Sequence, residues 1–164
     1  VPVRNIIAAF YPDRKERILL SAHWDTRPMA DEDSNPALKA QPIPGANDGG
    51  SGVGVLLEAA RHFSAQDPSL GVDIIFWDAE DMGTSGEAHS FCLGSQLWGR
   101  KPHVPGYRAR FAINLDMVGA RGAQFTQEGY SREQAPAVLN QVWRTAHRIG
   151  QGGYFLYVQH PPIT

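Results

Sequence analysis

Four short apolar runs constrain this chain most: RILLSAH (17–23), VDIIFWDA (72–79), RFAINLDMV (110–118) and YFLYVQ (154–159). Each has the length of a strand. They are apolar nearly throughout instead of alternating, the pattern of strands covered on both faces. Helical periodicities fall between them. Val53, Leu56, Leu57, Ala60 and Phe63 recur at the spacing of one buried helix face. A weaker signal near residues 87–99 runs through Phe91, Cys92, Gln96 and Leu97. The clearest covers 132–149, with Val138, Val142, Ala146 and Ile149 on one stripe; Ser131 and Gln134 have capping-box spacing at its start. Strands alternating with helices predict an α/β fold: a twisted, mostly parallel (mixed) sheet with helices on both faces.

At 164 residues the chain fits one domain, 1–164, with room for a substantial core. Apolar residues make up 42% and charged residues 20%, ordinary for a globular protein. A net charge of -2 and the lack of any Lys/Arg run exclude a nucleic-acid footprint. No apolar run has the length to span a bilayer. The single cysteine, Cys92, rules out an internal disulfide and reads as a small apolar residue of a helix, not a nucleophile. No signal peptide opens the chain, which begins VPVRNIIAAFYP. The first strand-like run follows only a short lead-in, and QHPPIT comes directly after the last. Both ends therefore look cut, and a fragment of a larger α/β domain is expected. No repeat or linker divides the chain. Its one long irregular stretch, 24–50, is of a length usually reserved for function.

The chemistry concentrates where the strands end. IIFWDAEDMG (74–83) turns from a buried run into three carboxylates, Asp78, Glu80 and Asp81. Such a cluster is costly unless a cation or a proton offsets it. In a parallel sheet, ligands bind outside the carboxyl ends of the strands. His23 and Asp25 follow the first run, Glu80 and Asp81 the second, and Asp116 closes the third. Asp48 sits in GANDGGSG, whose glycines let the backbone approach closely before a helix. His23 and Asp25 share a side of an extended segment, so the carboxylate can hold one ring nitrogen while the other faces a metal. Adjacent Glu80 and Asp81 point apart, which suits one proton-handling group and one ligand. Alone, an H-x-D pair, an acidic loop or a glycine-rich turn means little. Together at one sheet edge they define a metal site. With a nitrogen donor and a low coordination number, Zn²⁺ is favoured over Mg²⁺ or Ca²⁺; Mn²⁺ and Co²⁺ suit the same donors.

Five motifs in order, AHWDTRPMADED, PGANDGGSGVGVLLEAAR, IIFWDAEDMG, FCLGSQLW and INLDMVG, resemble the bacterial type of zinc-dependent glutaminyl cyclase, within the aminopeptidase-like M28 metallopeptidases. The resemblance runs from about Ile18 onward. It implies the phosphorylase/hydrolase-like fold of the zinc peptidases and formation of pyroglutamate, with release of ammonia, from peptides with N-terminal glutamine. It further implies Asp48 and Asp81 as zinc ligands and Glu80 as general base and acid, with Asp116 joining the catalytic hydrogen bonding. Asp81 stands where the aminopeptidases usually carry glutamate. His23 and Asp116 match second-metal ligands in the aminopeptidases and supporting groups in the cyclases; Asp25 matches the residue that supports His23.

The family's last zinc ligand is a histidine shortly after a strand like YFLYVQHPPIT, and no counterpart follows before Thr164. His160, followed by two prolines, has the wrong context to replace it. Three readings stay open: a cyclase with one zinc, an aminopeptidase with two, and an inactive scaffold. Trp24, Phe91 and Trp98 are candidates for the wall of a glutamine pocket, though each type is commonly core. The resemblance implies a periplasmic or secreted location and leaves the oligomeric state open.

Overall fold

The structure is a computed structural model that describes residues 2–161. Two compact units divide the chain, Val1–Gly119 and Ala120–Thr164. Among the described residues no helix is long and apolar enough to cross a membrane.

The first unit is built on four strands, β1 (Ile6–Phe10), β2 (Arg17–His23), β3 (Gly71–Trp77) and β4 (Ala112–Asn114), in the order β1-β3-β2-β4. β2 runs parallel to both β3 and β4, while β1 pairs antiparallel with β3, so the sheet is mixed and mostly parallel. All seven residues of β3 are buried, which explains the unbroken apolar run of its sequence. Helix α1 (Gly50–Ser64) covers one face. There Leu56, with Val53, Ala60 and Phe63, packs on Ala22, Val72, Ile74 and Phe76. On the other face Leu19, Ile75 and Trp77 meet Ile7, Ala109 and Trp98 of α2 (Leu93–Arg100). Helices thus lie on both faces, as the alternating pattern predicts.

Three local expectations change. The lead-in before β2 is itself a strand, β1, whose IIAAF is too short to show a period. β4 keeps only three residues of the predicted 110–118, because it is an edge strand bonded on one side. The predicted helix 132–149 is two, α3 (Gly129–Gln134) and α4 (Pro136–Arg148), parted at Ala135, where Pro136 supplies no amide. The cap also differs: the carboxylate of Glu128, not Ser131, accepts the first-turn amides of Tyr130 and Ser131. In this second unit β5 (Phe125–Gln127) pairs with β6 (Phe155–Gln159). Trp143 of α4 packs edge-on against Phe155 and donates to the Leu156 carbonyl at 2.9 Å.

Candidate metal centre

Parallel pairing brings the carboxyl ends of β2, β3 and β4 to one edge, and the predicted acids gather there around one imidazole. His23, the last residue of β2, is 1% exposed. Its Nε2 lies 2.9 Å from Asp48 Oδ1 and 3.5 Å from Asp116 Oδ1. Its Nδ1 lies 3.5 Å from Asp25 Oδ1 and 3.9 Å from Glu80 Oε2. None of these approaches has hydrogen-bond geometry, so both buried ring nitrogens have carboxylate neighbours but no hydrogen bond. Gly49 permits the closeness: its φ is 78°, and a Cβ there would stand 2.6 Å from the Asp25 carbonyl oxygen.

Side chains from one loop hold the backbone of the next. Asp25 accepts the amides of Glu80 at 3.0 Å and Asp81 at 2.9 Å. Expected as a support for His23, it stands 3.5 Å from the ring's Nδ1 and is bonded as well to the turn that carries two of the acids. Below that turn, the amides of Cys92, Leu93 and Gly94 at the start of α2 donate to the carbonyls of Glu80, Ala79 and Asp78. The helix thereby satisfies amides that would otherwise lack partners. Across the site, Ser51 and Asn47 accept the amides of Val118 and Gly119, fixing the loop after Asp116. Four non-glycine residues among those described have positive φ: Tyr11, Ala79, Cys92 and Met117. Three of them adjoin or touch Glu80 or Asp116. Strained backbone of this kind collects at functional sites.

The charges are unbalanced in a way that asks for a cation. Burial favours neutral imidazole, but the carboxylates of Asp116, Asp25 and Glu80 outweigh it and push His23 up to about 11. Burial, reinforced by the charges of Asp116 and Asp81, holds Glu80 above the ordinary carboxylate range. Burial likewise raises Asp81, with Asp48 adding to it and Arg27 opposing. Asp25 runs the other way: burial is overcome by His23 and the two amides, which lower it. Burial beside Glu80 pushes the Cys92 thiol up to about 12, so it stays protonated, and its Sγ donates to Glu80 Oε1 at 3.4 Å. That suits a packing and hydrogen-bonding cysteine and not a nucleophile.

His23, Asp48 and Asp116 offer ligand atoms all within 4.8 Å of one another. One imidazole nitrogen with carboxylate oxygens fits Zn²⁺, Mn²⁺ or Co²⁺. The orphaned nitrogens of His23 are the strongest sign that the site is shaped for an ion, since a buried donor or acceptor left unmade costs about 1–3 kcal/mol. Asp81 stands outside that trio, with its Oδ1 accepting from Arg27 Nη1 at 3.0 Å. Asp116, although it closes an apolar run, has a side chain 43% exposed, because β4 stops at Asn114 and the acid lies beyond the strand's end. Of the pocket candidates, Trp24 is 46% exposed beside His23. Phe91 lies beneath the Arg27 guanidinium, and Trp98 spends its ring on Trp77, Tyr107 and His103. His160 belongs to the second unit, where its amide donates to the Gln127 carbonyl at 2.9 Å. Asn47, Ser51 and Arg27 were not singled out by the sequence reading. For Arg27 a signal existed: an arginine between two acidic motifs.

Residues 5–160 match Peptidase family M28, and the chain belongs to that family. It is similar over 99% of its length to the crystal structure of Porphyromonas gingivalis glutaminyl cyclase, with 52% identity and a TM-score of 0.96. Bacteroides thetaiotaomicron glutaminyl cyclase bound to N-acetylhistamine matches over 98% of the chain, with 51% identity and a TM-score of 0.95. A Zn-dependent exopeptidase from Parabacteroides distasonis matches over 99%, with 46% identity and a TM-score of 0.95. The chain covers 57% of each of these three structures. It covers between 18% and 31% of three curated relatives it matches.

Proposed function

We propose that the chain carries the metal-binding and proton-transfer core of a zinc-dependent glutaminyl cyclase. The observation that carries this reading is the 52% identity, spread over 99% of the chain, with a protein described as a glutaminyl cyclase. The substrate is a peptide beginning with glutamine. Its α-amine attacks the γ-carboxamide carbon; a C–N bond forms, the bond to the amide nitrogen breaks, and ammonia leaves.

Asp48 and Asp81 are the carboxylates that would hold zinc, with His23 and Asp116 beside Asp48. When bound, the ion supplies a Lewis-acid centre for the γ-carboxamide oxygen. Glu80 takes the proton from the attacking amine and returns it to the leaving nitrogen. Burial raises its pKa, the direction that eases the return of the proton to the leaving nitrogen. Cys92 on Oε1 leaves Oε2, on the His23 side, for the proton. The reaction is intramolecular, so holding the glutamine side chain folded supplies much of the rate.

A second reading, a two-zinc aminopeptidase, draws support from the trio His23, Asp48 and Asp116, which forms a ready place for a second ion. Incubating the protein and zinc with a glutamine-initial peptide separates the readings by mass spectrometry. Loss of ammonia alone means a cyclase, and loss of the whole first residue means a peptidase. A peptide left untouched by the intact, zinc-loaded protein removes both and leaves the scaffold. Bound zinc counted by elemental analysis gives an independent answer, one ion for the cyclase and two for the peptidase. Glu80→Gln is expected to keep zinc and lose turnover; near-normal turnover would sink the proton-shuttle role.

A further inference from the structure

We infer that Arg27 is a positioning residue that presets Asp81 for metal binding, an inference that rests on Asp81 being a zinc ligand. A guanidinium offers five donors in a rigid plane. Nε and Nη2 of Arg27 are taken by the two oxygens of Asp31, at 2.5 and 2.7 Å. The Arg27 Cζ lies over the Phe91 ring, 5.4 Å from its centre. Two nitrogens and the position of the guanidinium carbon are thus fixed. The remaining nitrogen, Nη1, reaches Asp81 Oδ1 at 3.0 Å.

The surroundings make this more than a surface pair. The side chains of Arg27 and Asp81 are 14% and 15% exposed, well away from the solvated setting in which ion pairs contribute almost nothing. Among the described residues, Arg27 is the one arginine or lysine in ion-pair contact with the acids of the site. The backbone of Asp81 is held separately, by Asp25. Main chain and carboxylate are each tied, and Oδ2 is the oxygen left for an ion. A ligand fixed in this way loses little freedom on binding, the usual contribution of groups that orient a metal's ligands.

Charge and position make opposite predictions, and that makes the inference testable. If Arg27 mattered only as a positive charge near a cation, removing it would tighten zinc binding. As a positioning group, its loss weakens binding by roughly 10- to 100-fold. Arg27→Gln in the intact protein, titrated with Zn²⁺ against a chromogenic chelator, is expected to show that weakening with little change in the melting temperature of the metal-free form. Arg27→Lys recovers only part of the affinity, because an ammonium cannot bridge Asp31 and Asp81 in one plane. Asp31→Asn keeps Arg27 but frees it, and weakens zinc binding in the same direction. Where Arg27→Gln fails to fold, Arg27→Lys decides the matter, because it keeps the charge and loses only the planar bridge; full zinc affinity in that variant overturns the inference. In an Asp81→Asn background, Arg27→Gln adds nothing further. Tighter or unchanged zinc binding in Arg27→Gln and Asp31→Asn overturns the inference, provided Asp81→Asn itself weakens binding. If Asp81→Asn leaves the affinity intact, the ligand assignment fails and takes this inference with it.

Discussion

His23 shows how one residue can define a site. An imidazole at 1% exposure with no hydrogen bond on either nitrogen and carboxylates on both sides is poorly served by a proton alone. Without metal, its raised pKa sets the sign of a pH effect. Between the unfolded value of about 6.5 and the folded value of about 11, the native state binds more protons than the unfolded state. The stability this supplies is complete below the lower figure and is lost as pH rises through the higher. The melting temperature of metal-free protein is expected to decline from neutral toward alkaline pH, more steeply in the parent than in His23→Gln. Parallel slopes would show that His23 is not the group responsible. A zinc ion taken by His23 would displace the same proton, so its affinity is expected to fall as the solution is acidified.

Among the elements, α1 depends most on a single position. Gly52 is buried where the helix crosses the sheet, and a Cβ there would stand 2.5 Å from the Leu115 carbonyl oxygen and 2.8 Å from Ala22 Cβ. Replacing glycine by alanine in a helix ordinarily gains about 1 kcal/mol. Here the obstacle is backbone, and overpacking of about 1–3 kcal/mol wins. Gly52→Ala is expected to lower stability in chemical denaturation, and a stabilised variant would refute the close approach. The elements legible in the sequence were those whose environment is uniform along their length. β3 is buried from end to end and no residue of β2 is fully exposed, so their apolar runs bound them well, and α1 follows its period. β1 and β4 sit at the sheet edges, where partial exposure breaks the pattern. The break between α3 and α4 was announced by Pro136 and overridden by the longer stripe. The acids themselves were legible because Asp25, Glu80, Asp81 and Asp116 follow strands and Asp48 precedes a helix in a glycine-rich turn. Their supports were not, because Asn47, Ser51 and Arg27 act through contacts made by loops distant in sequence.

Across the first unit as a whole, the two ends of the parallel strands carry charge for different purposes. At the amino ends, Arg17 grips Asp73 with two bonds of 2.7 Å, and Tyr107 donates to the same carboxylate at 2.7 Å. Arg17 also donates to the carbonyls of Phe10, Tyr11 and Val72, tying β1, β2 and β3 together. Every acceptor and donor there is matched, whereas at the carboxyl ends acids outnumber cations. Asp73→Ala would leave a buried guanidinium unpaired and is expected to cost about 3–5 kcal/mol of stability. Zinc affinity measured below the new melting point should stay unchanged. A joint loss of stability and affinity would mean that the two ends are mechanically coupled.

The double tether on the turn after β3 bears on time as well as on structure. The amides of Glu80 and Asp81 lie outside every strand, yet both donate to a carboxylate that is 7% exposed, and the carbonyl of Glu80 is held by α2. Deuterium should therefore enter these two positions on the timescale of β3, and far later than in the open loop from 26 to 44. Sluggish isotope uptake outside regular secondary structure would mean that the acids wait, already aimed, for whatever arrives.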